Sequence, residues 1–285
     1  MNVVLETKQS WSKKRKLIFI AVIAICLLSV FISAYVVLKN NANKIPGEYV
    51  PVSEDEYLKR EEEFDSIFLN NIVNQINQSI LITNKIKKED EIVGTAYESK
   101  EKVIGKYSLD VKIPYININN ATVKDYNKEI EKIFKEKALN IINDVESKDI
   151  VYTVDYVAYI NSNNILSIAI RSVLKEGDNA QRAIIQTYNY DFKNNKEISL
   201  DKILEVKGLN KEEIENKVTD KIKQEQRKIE ELKKLGFNVF ERDYTNEMYK
   251  VENTTEFFIG QDGFLYLIYA YGNNNYTSEL DLVIF

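Results

Sequence analysis

Residues 17–38 read LIFIAVIAICLLSVFISAYVVL, 22 positions without a single charge. As a helix rising about 1.5 Å per residue, this run spans roughly 33 Å, the depth of a bilayer's hydrocarbon core of about 30 Å. Lys13, Lys14, Arg15 and Lys16 stand directly before it. Basic residues in a short flank stay in the cytoplasm, so the long remainder is predicted outside. A cleaved signal peptide also begins with a basic stretch, but its apolar region is typically about 7–15 residues and ends at an A-x-A site. Neither feature fits, so the run is read as an uncleaved single-pass anchor. Four parts follow: a cytoplasmic tail 1–16, a transmembrane helix 17–38, a juxtamembrane stalk and amphipathic helix 39–90, and an exported domain 91–285.

The chain has no histidine, and its only cysteine, Cys26, lies inside the apolar run. Catalysis by Ser-His-Asp or Cys-His, His- or thiolate-bound zinc, axial-His haem and intrachain disulfides are excluded on composition. The net charge is −5 over 285 residues; residues 1–44 hold seven basic and one acidic side chain, +6, which leaves −11 for residues 45–285. An acidic exported part argues against a nucleic-acid partner and favours long-range attraction of a cationic one. Lysine outnumbers arginine 33 to 6, which reads as the mark of an AT-rich coding genome.

Past the anchor, Pro46, Gly47 and Pro51 suit a short stalk, and Ser53 followed by Glu54, Asp55 and Glu56 is a helix start. Phe64, Phe68, Ile72, Ile76 and Ile80 continue it as an amphipathic stripe that packs on the domain or its stalk. Extended stretches are predicted at 91–97 and 103–113, with the Ile113-Pro114-Tyr115 step ending strand pairing. A helix is predicted over 121–146, its inner face holding Val123, Tyr126, Ile130, Ile133, Phe134, Leu139 and Ile141. Three β-rich runs, 150–160, 165–174 and 182–192, are parted by turn-forming residues and read as an antiparallel meander. Ser199 caps a short helix over 201–205, and Asn210 opens a long charged helix stopped by Gly236. Strands are predicted at 254–259, 264–271 and 278–285. The fold class is α+β, with an antiparallel sheet and packed helices.

Chemistry-bearing motifs are lacking: there is no Gly-rich phosphate loop, GxSxG elbow or calcium loop. Asp155, Asp178 and Asp191 read as strand-end and turn residues. No enzyme activity, metal or cofactor is expected. The tyrosines that crowd the β-rich parts serve cross-strand pairing first, and a few of them a binding face.

Residues 188–192, YNYDF, followed by 195–204, NKEISLDKIL, resemble the strand, turn and short helix of the exported domain shared by the anti-sigma factor RsiV and the peptidoglycan deacetylase PdaC. Residues 107–116 resemble its entry strand and 257–264, FFIGQDGF, its final hairpin. The resemblance spans roughly residues 92–285 and implies a non-catalytic binding domain at a Gram-positive cell envelope. In RsiV that domain captures lysozyme. Here the family's Gly/His-containing hairpin is replaced by 175–182, and its turn glycine by Asn195, a residue that tolerates positive φ. The deacetylase's metal domain has no counterpart in these residues. The implied partner is a cationic muramidase or another cell-wall component. The contact residues expected from the two exposed connections 175–182 and 271–276 are Lys175, Glu176, Asp178, Arg182, Tyr271 and Tyr276. A tail of 16 residues barely exceeds the length of about 12–15 below which an isolated helix is marginal, so at most weak sigma-factor binding is expected. The alternative is a wall- or glycan-associated module that does not signal.

Overall fold

The computed structural model describes residues 52–68, 92–144, 146 and 148–285, all within one unit, Tyr49–Phe285. The expected cytoplasmic tail, the transmembrane helix and most of the juxtamembrane segment lie outside the described residues. Among the described residues no helix is long and apolar enough to cross a membrane.

Strands β1 (Val93–Val103) and β2 (Tyr107–Ile116) form a hairpin that turns at Gly105, where φ is +72°. Pairing does not stop at Pro114, contrary to the sequence expectation: Thr95 faces Pro114 and Tyr97 faces Ile113, leaving Ala96 as an extra residue. This bulge takes up the missing proline N–H, and the ladder continues to Ile116. Asn120 then caps α2, made of Ala121–Ile130, a π-helical turn Glu131–Lys135 and Glu136–Asn143. Its buried residues are Val123, Tyr126, Ile130, Phe134, Ala138 and Ile141, whereas Leu139 is turned to solvent.

The predicted meander is present as β3 (Ile150–Ile160), β4 (Ile165–Glu176) and β5 (Arg182–Asp191), followed by the two-residue β6 (Lys196–Glu197). The six strands lie in sequence order, but β2 pairs with β3 in parallel, so the sheet is mixed and not wholly antiparallel. The cause is α2, a connection long enough to carry the chain back to the starting end. Asn164 and Asn195 hold the positive φ that their turns require.

Ser199 caps α3 (Leu200–Lys207), which ends at Gly208 with φ +66°. Asn210 accepts from the N–H groups of Glu212 and Glu213 to start α4 (Lys211–Lys234), and Gly236 closes it at φ +87°. The second sheet is antiparallel: β7 (Glu256–Ile259), β8 (Leu265–Ala270) and β9 (Leu280–Ile284).

Side chains join the two sheets by acting as strand mimics. The Asn273 amide accepts from Ile185 N–H at 3.0 Å and donates to Ile185 C=O at 2.8 Å. Glu256 accepts from Thr187 N–H at 2.7 Å. In return Thr187 Oγ1 and Ser167 Oγ accept from the N–H groups of Phe257 and Ile259, and the Asn189 amide donates to Phe257 C=O. Two edges that would otherwise bury unpaired backbone are satisfied this way. Against the joint packs α1 (Glu54–Glu62), followed by a helical turn Phe64–Ile67. Phe64 and Phe68 enter a core with Val157, Ile185, Phe258 and Leu282.

Candidate binding face

The hairpin turn between β4 and β5 and the turn between β8 and β9 belong to different sheets, and their sequence separation is about ninety residues. The structure brings them together at Arg182. Its Nε donates to Gly272 C=O at 2.6 Å and its Nη2 to Asn273 C=O at 3.0 Å, while the guanidinium lies 5.4 Å from the centre of the Tyr276 ring. Ala183 N–H bonds Thr277 C=O at 3.0 Å. The approach is so close that a Cβ on Gly272 would sit 1.7 Å from Ala183 O.

Beside this junction runs a groove of about 640 Å³, lined by Ala180, Gln181, Tyr276, Thr277 and Ser278 and, across from them, by the strap 238–241. Arg242 holds that strap. It grips both oxygens of Asp281 at 3.0 Å, donates to Phe240 C=O at 2.7 Å and also bonds Glu279. Glu279 in turn accepts from Phe240 N–H at 2.8 Å. Burial works against the Arg242 charge, but the Asp281 and Glu279 carboxylates hold its pKa above the usual arginine range.

The expected contact residues divide. Tyr276 is 64% exposed at the groove rim, and Asp178 is exposed on the hairpin tip. Arg182 is half-buried as the clamp between the turns. Lys175 bonds Asn179 C=O within its own hairpin, and Glu176 pairs at 2.7 Å with Lys137 of α2, away from Tyr276. Tyr271 corrects the expectation of an exposed turn aromatic: it is 2% exposed. Its ring stacks on Phe240 at 4.4 Å and its hydroxyl bonds Asp281 and Tyr249. Burial first, then the Asp281 charge, raises its pKa far above that of free tyrosine. It is a core residue because β8 ends one position before it and carries its side chain inward.

Sequence reasoning missed Gly272, Asn273, Arg242, Glu279 and Asp281. A usable signal was present in the rarity of arginine. Arg60, Arg171, Arg182 and Arg242 each cover an aromatic ring, at 3.9, 4.7, 5.4 and 4.5 Å respectively, while bonding another element. Lysine cannot supply such a planar fork, so four of the five arginines among the described residues mark joints, Arg227 on α4 being exposed. Among the described residues no group of three or more Cys, Asp or Glu is placed to hold a metal.

The chain thus forms an α+β domain of two sheets clamped side to side, with a groove at the clamp. No family model matches the sequence, and no curated protein matches it. Among solved structures it is similar to a DUF3298 family protein from Pseudomonas aeruginosa PAO1, at 10% identity over 67% of this chain and 86% of that one, with a TM-score of 0.38. It is also similar to a DUF3298 family member from Bacteroides fragilis NCTC 9343, at 13% identity, the same coverage and a TM-score of 0.33. At these scores neither likeness carries weight for function.

Proposed function

We propose that this is a membrane-anchored, extracytoplasmic binding protein without enzymatic activity, whose groove face takes a cationic muramidase such as lysozyme at the cell envelope. The reading is carried by one observation: two connections remote in sequence are locked together by Arg182, so that Tyr276 stands exposed at the rim of the groove against a backed turn. A rigid aromatic at a groove rim is the kind of anchor that concentrates binding energy. The −11 charge of residues 45–285 supports the choice of a cationic partner by steering its approach. The apolar run 17–38 with its basic flank supports the topology, and the resemblance to the RsiV and PdaC exported domain supports the partner class.

Hydrogen exchange on the full chain in detergent, with and without lysozyme, tests the reading. Slowed exchange confined to 176–182 and 272–279 is the expected footprint. No change with lysozyme in excess, or a footprint on β1 and β2, overturns it.

A further inference from the structure

Strand β9 has β8 as its ladder partner on one side. Leu265 and Phe285 exchange backbone bonds at 2.9 Å, and Tyr271 N–H bonds Glu279 C=O at 3.2 Å, which fixes the phase of the ladder. Odd-numbered residues of β9 turn their backbone groups to β8; Leu280, Leu282 and Ile284 turn theirs away. Two of these outward carbonyls are closed by side chains: Leu282 C=O accepts from Tyr57 OH at 2.5 Å, and Ile284 C=O from Lys217 Nζ at 2.8 Å. Among the described residues nothing caps the N–H and C=O of Leu280 or the N–H of Leu282 in the same way. Both residues line a cleft of about 570 Å³.

The edges of β5 and β7 are closed by built-in side-chain partners, so the N–H and C=O of half-buried Leu280 and the N–H of Leu282, which have none among the described residues, are an exception. The far wall of that cleft comes from α1, the turn after it and α4, and carries Glu61, Glu62, Asp65 and Glu225. Lys221 bridges Glu61 and Glu225, and Arg171 pairs with Asp65, so the wall is partly neutralised. Counting Glu279 and Asp281, six carboxylates line the cleft and meet four cations, Arg171, Arg242, Lys221 and Lys228, which leaves a net charge of −2 with Glu62 as the acid outside these pairs.

We propose that this cleft takes an extended, basic polypeptide segment that adds to β9 as a fourth strand of the second sheet. Its backbone pairs with Leu280 and Leu282, and its cationic side chains face the α1 and α4 wall. Main-chain pairing supplies affinity here and the alternating side chains supply selectivity. The site adjoins the groove at the two turns but uses backbone where that groove uses side chains.

The test uses the full chain in detergent with two probes: a heptapeptide alternating lysine and valine, and a twin N-methylated at every backbone amide. The plain peptide is expected to slow exchange of the Leu280 and Leu282 amides at least tenfold, and the twin to leave them unchanged. Leu280→Pro removes an outward N–H without touching the β8 ladder and is expected to weaken the plain peptide's binding at least tenfold. Equal binding of the two peptides, no binding of either, or protection elsewhere than at Leu280 and Leu282 overturns the proposal. Loss of the lysozyme footprint on 176–182 bears on the groove reading alone.

Discussion

Single side chains decide how the two sheets are held, and Glu256 shows it most directly. Its carboxyl is buried at the joint, and burial pushes its pKa up to about 7 despite the bond from Thr187 N–H, with Glu129 adding repulsion. A carboxyl raised in the folded state stabilises the fold fully below the unfolded value and loses that contribution as pH rises through the folded one. Urea unfolding of the full chain in mild detergent is therefore expected to show stability falling between about pH 4.5 and 7, by up to on the order of 3 kcal/mol. Glu256→Gln keeps an acceptor for Thr187 N–H and should flatten that slope; an unchanged slope would remove Glu256 as its source. At the same scale, Gly272→Ala drives a methyl into the Ala183 carbonyl, and no flexible side chain is there to yield. It is expected to cost at least about 2 kcal/mol, in the range of strain and overpacking effects. A melt within a degree of the parent would show that the two turns are not locked. Asp281→Asn tests the Arg242 clamp, since removing one partner of a buried ion pair costs about 3–5 kcal/mol.

At the scale of elements, what could be read in advance was what local chemistry dictates. Asn210 and Gly236 bracket α4 because a capping side chain and a left-handed glycine act within one turn of the helix. The β3–β4–β5 meander was legible for the same reason, its turns being written as Asn, Gly and Asp runs. Long-range pairings were not legible. Nothing within β2 states that β3 joins it in parallel, and nothing around Gly272 states that Ala183 will lie against it. Tyr271 was misjudged because a tyrosine beside a Gly-Asn turn looks exposed until the Phe240 strap is laid over it. Of the expected amphipathic stripe Phe64 and Phe68 are buried, whereas Ile72, Ile76 and Ile80 lie outside the described residues; the clamps that dock α1 and the turn after it were not legible: Arg60 to Asp262, Arg171 to Asp65 and Lys221 to Glu61. Phe64 is the apolar key of that docking, and Phe64→Ala is expected to cost about 3–5 kcal/mol. Limited proteolysis should then cut near residues 52–68 before the rest of the domain; cleavage in the parent pattern would mean that α1 is not anchored by this ring.

For the whole molecule, the proposed placement at a membrane rests on the basic residues 13–16, the uncharged apolar run 17–38 and the acidic balance of residues 45–285. Protease added to intact, wall-stripped cells is expected to digest residues 52–285; survival there with cleavage after lysis would reverse the topology. The groove face itself is tested most directly by lysozyme affinity for the full chain at low and high salt, measured for the parent and for Tyr276→Ala. Rim charges act mainly on the association rate and its salt dependence, while an exposed aromatic anchor acts on the affinity that persists when charges are screened. The expected result is binding that weakens but survives at high salt and falls at least tenfold in Tyr276→Ala. Binding that vanishes at high salt and is indifferent to Tyr276 would contradict a specific groove face and leave only charge attraction.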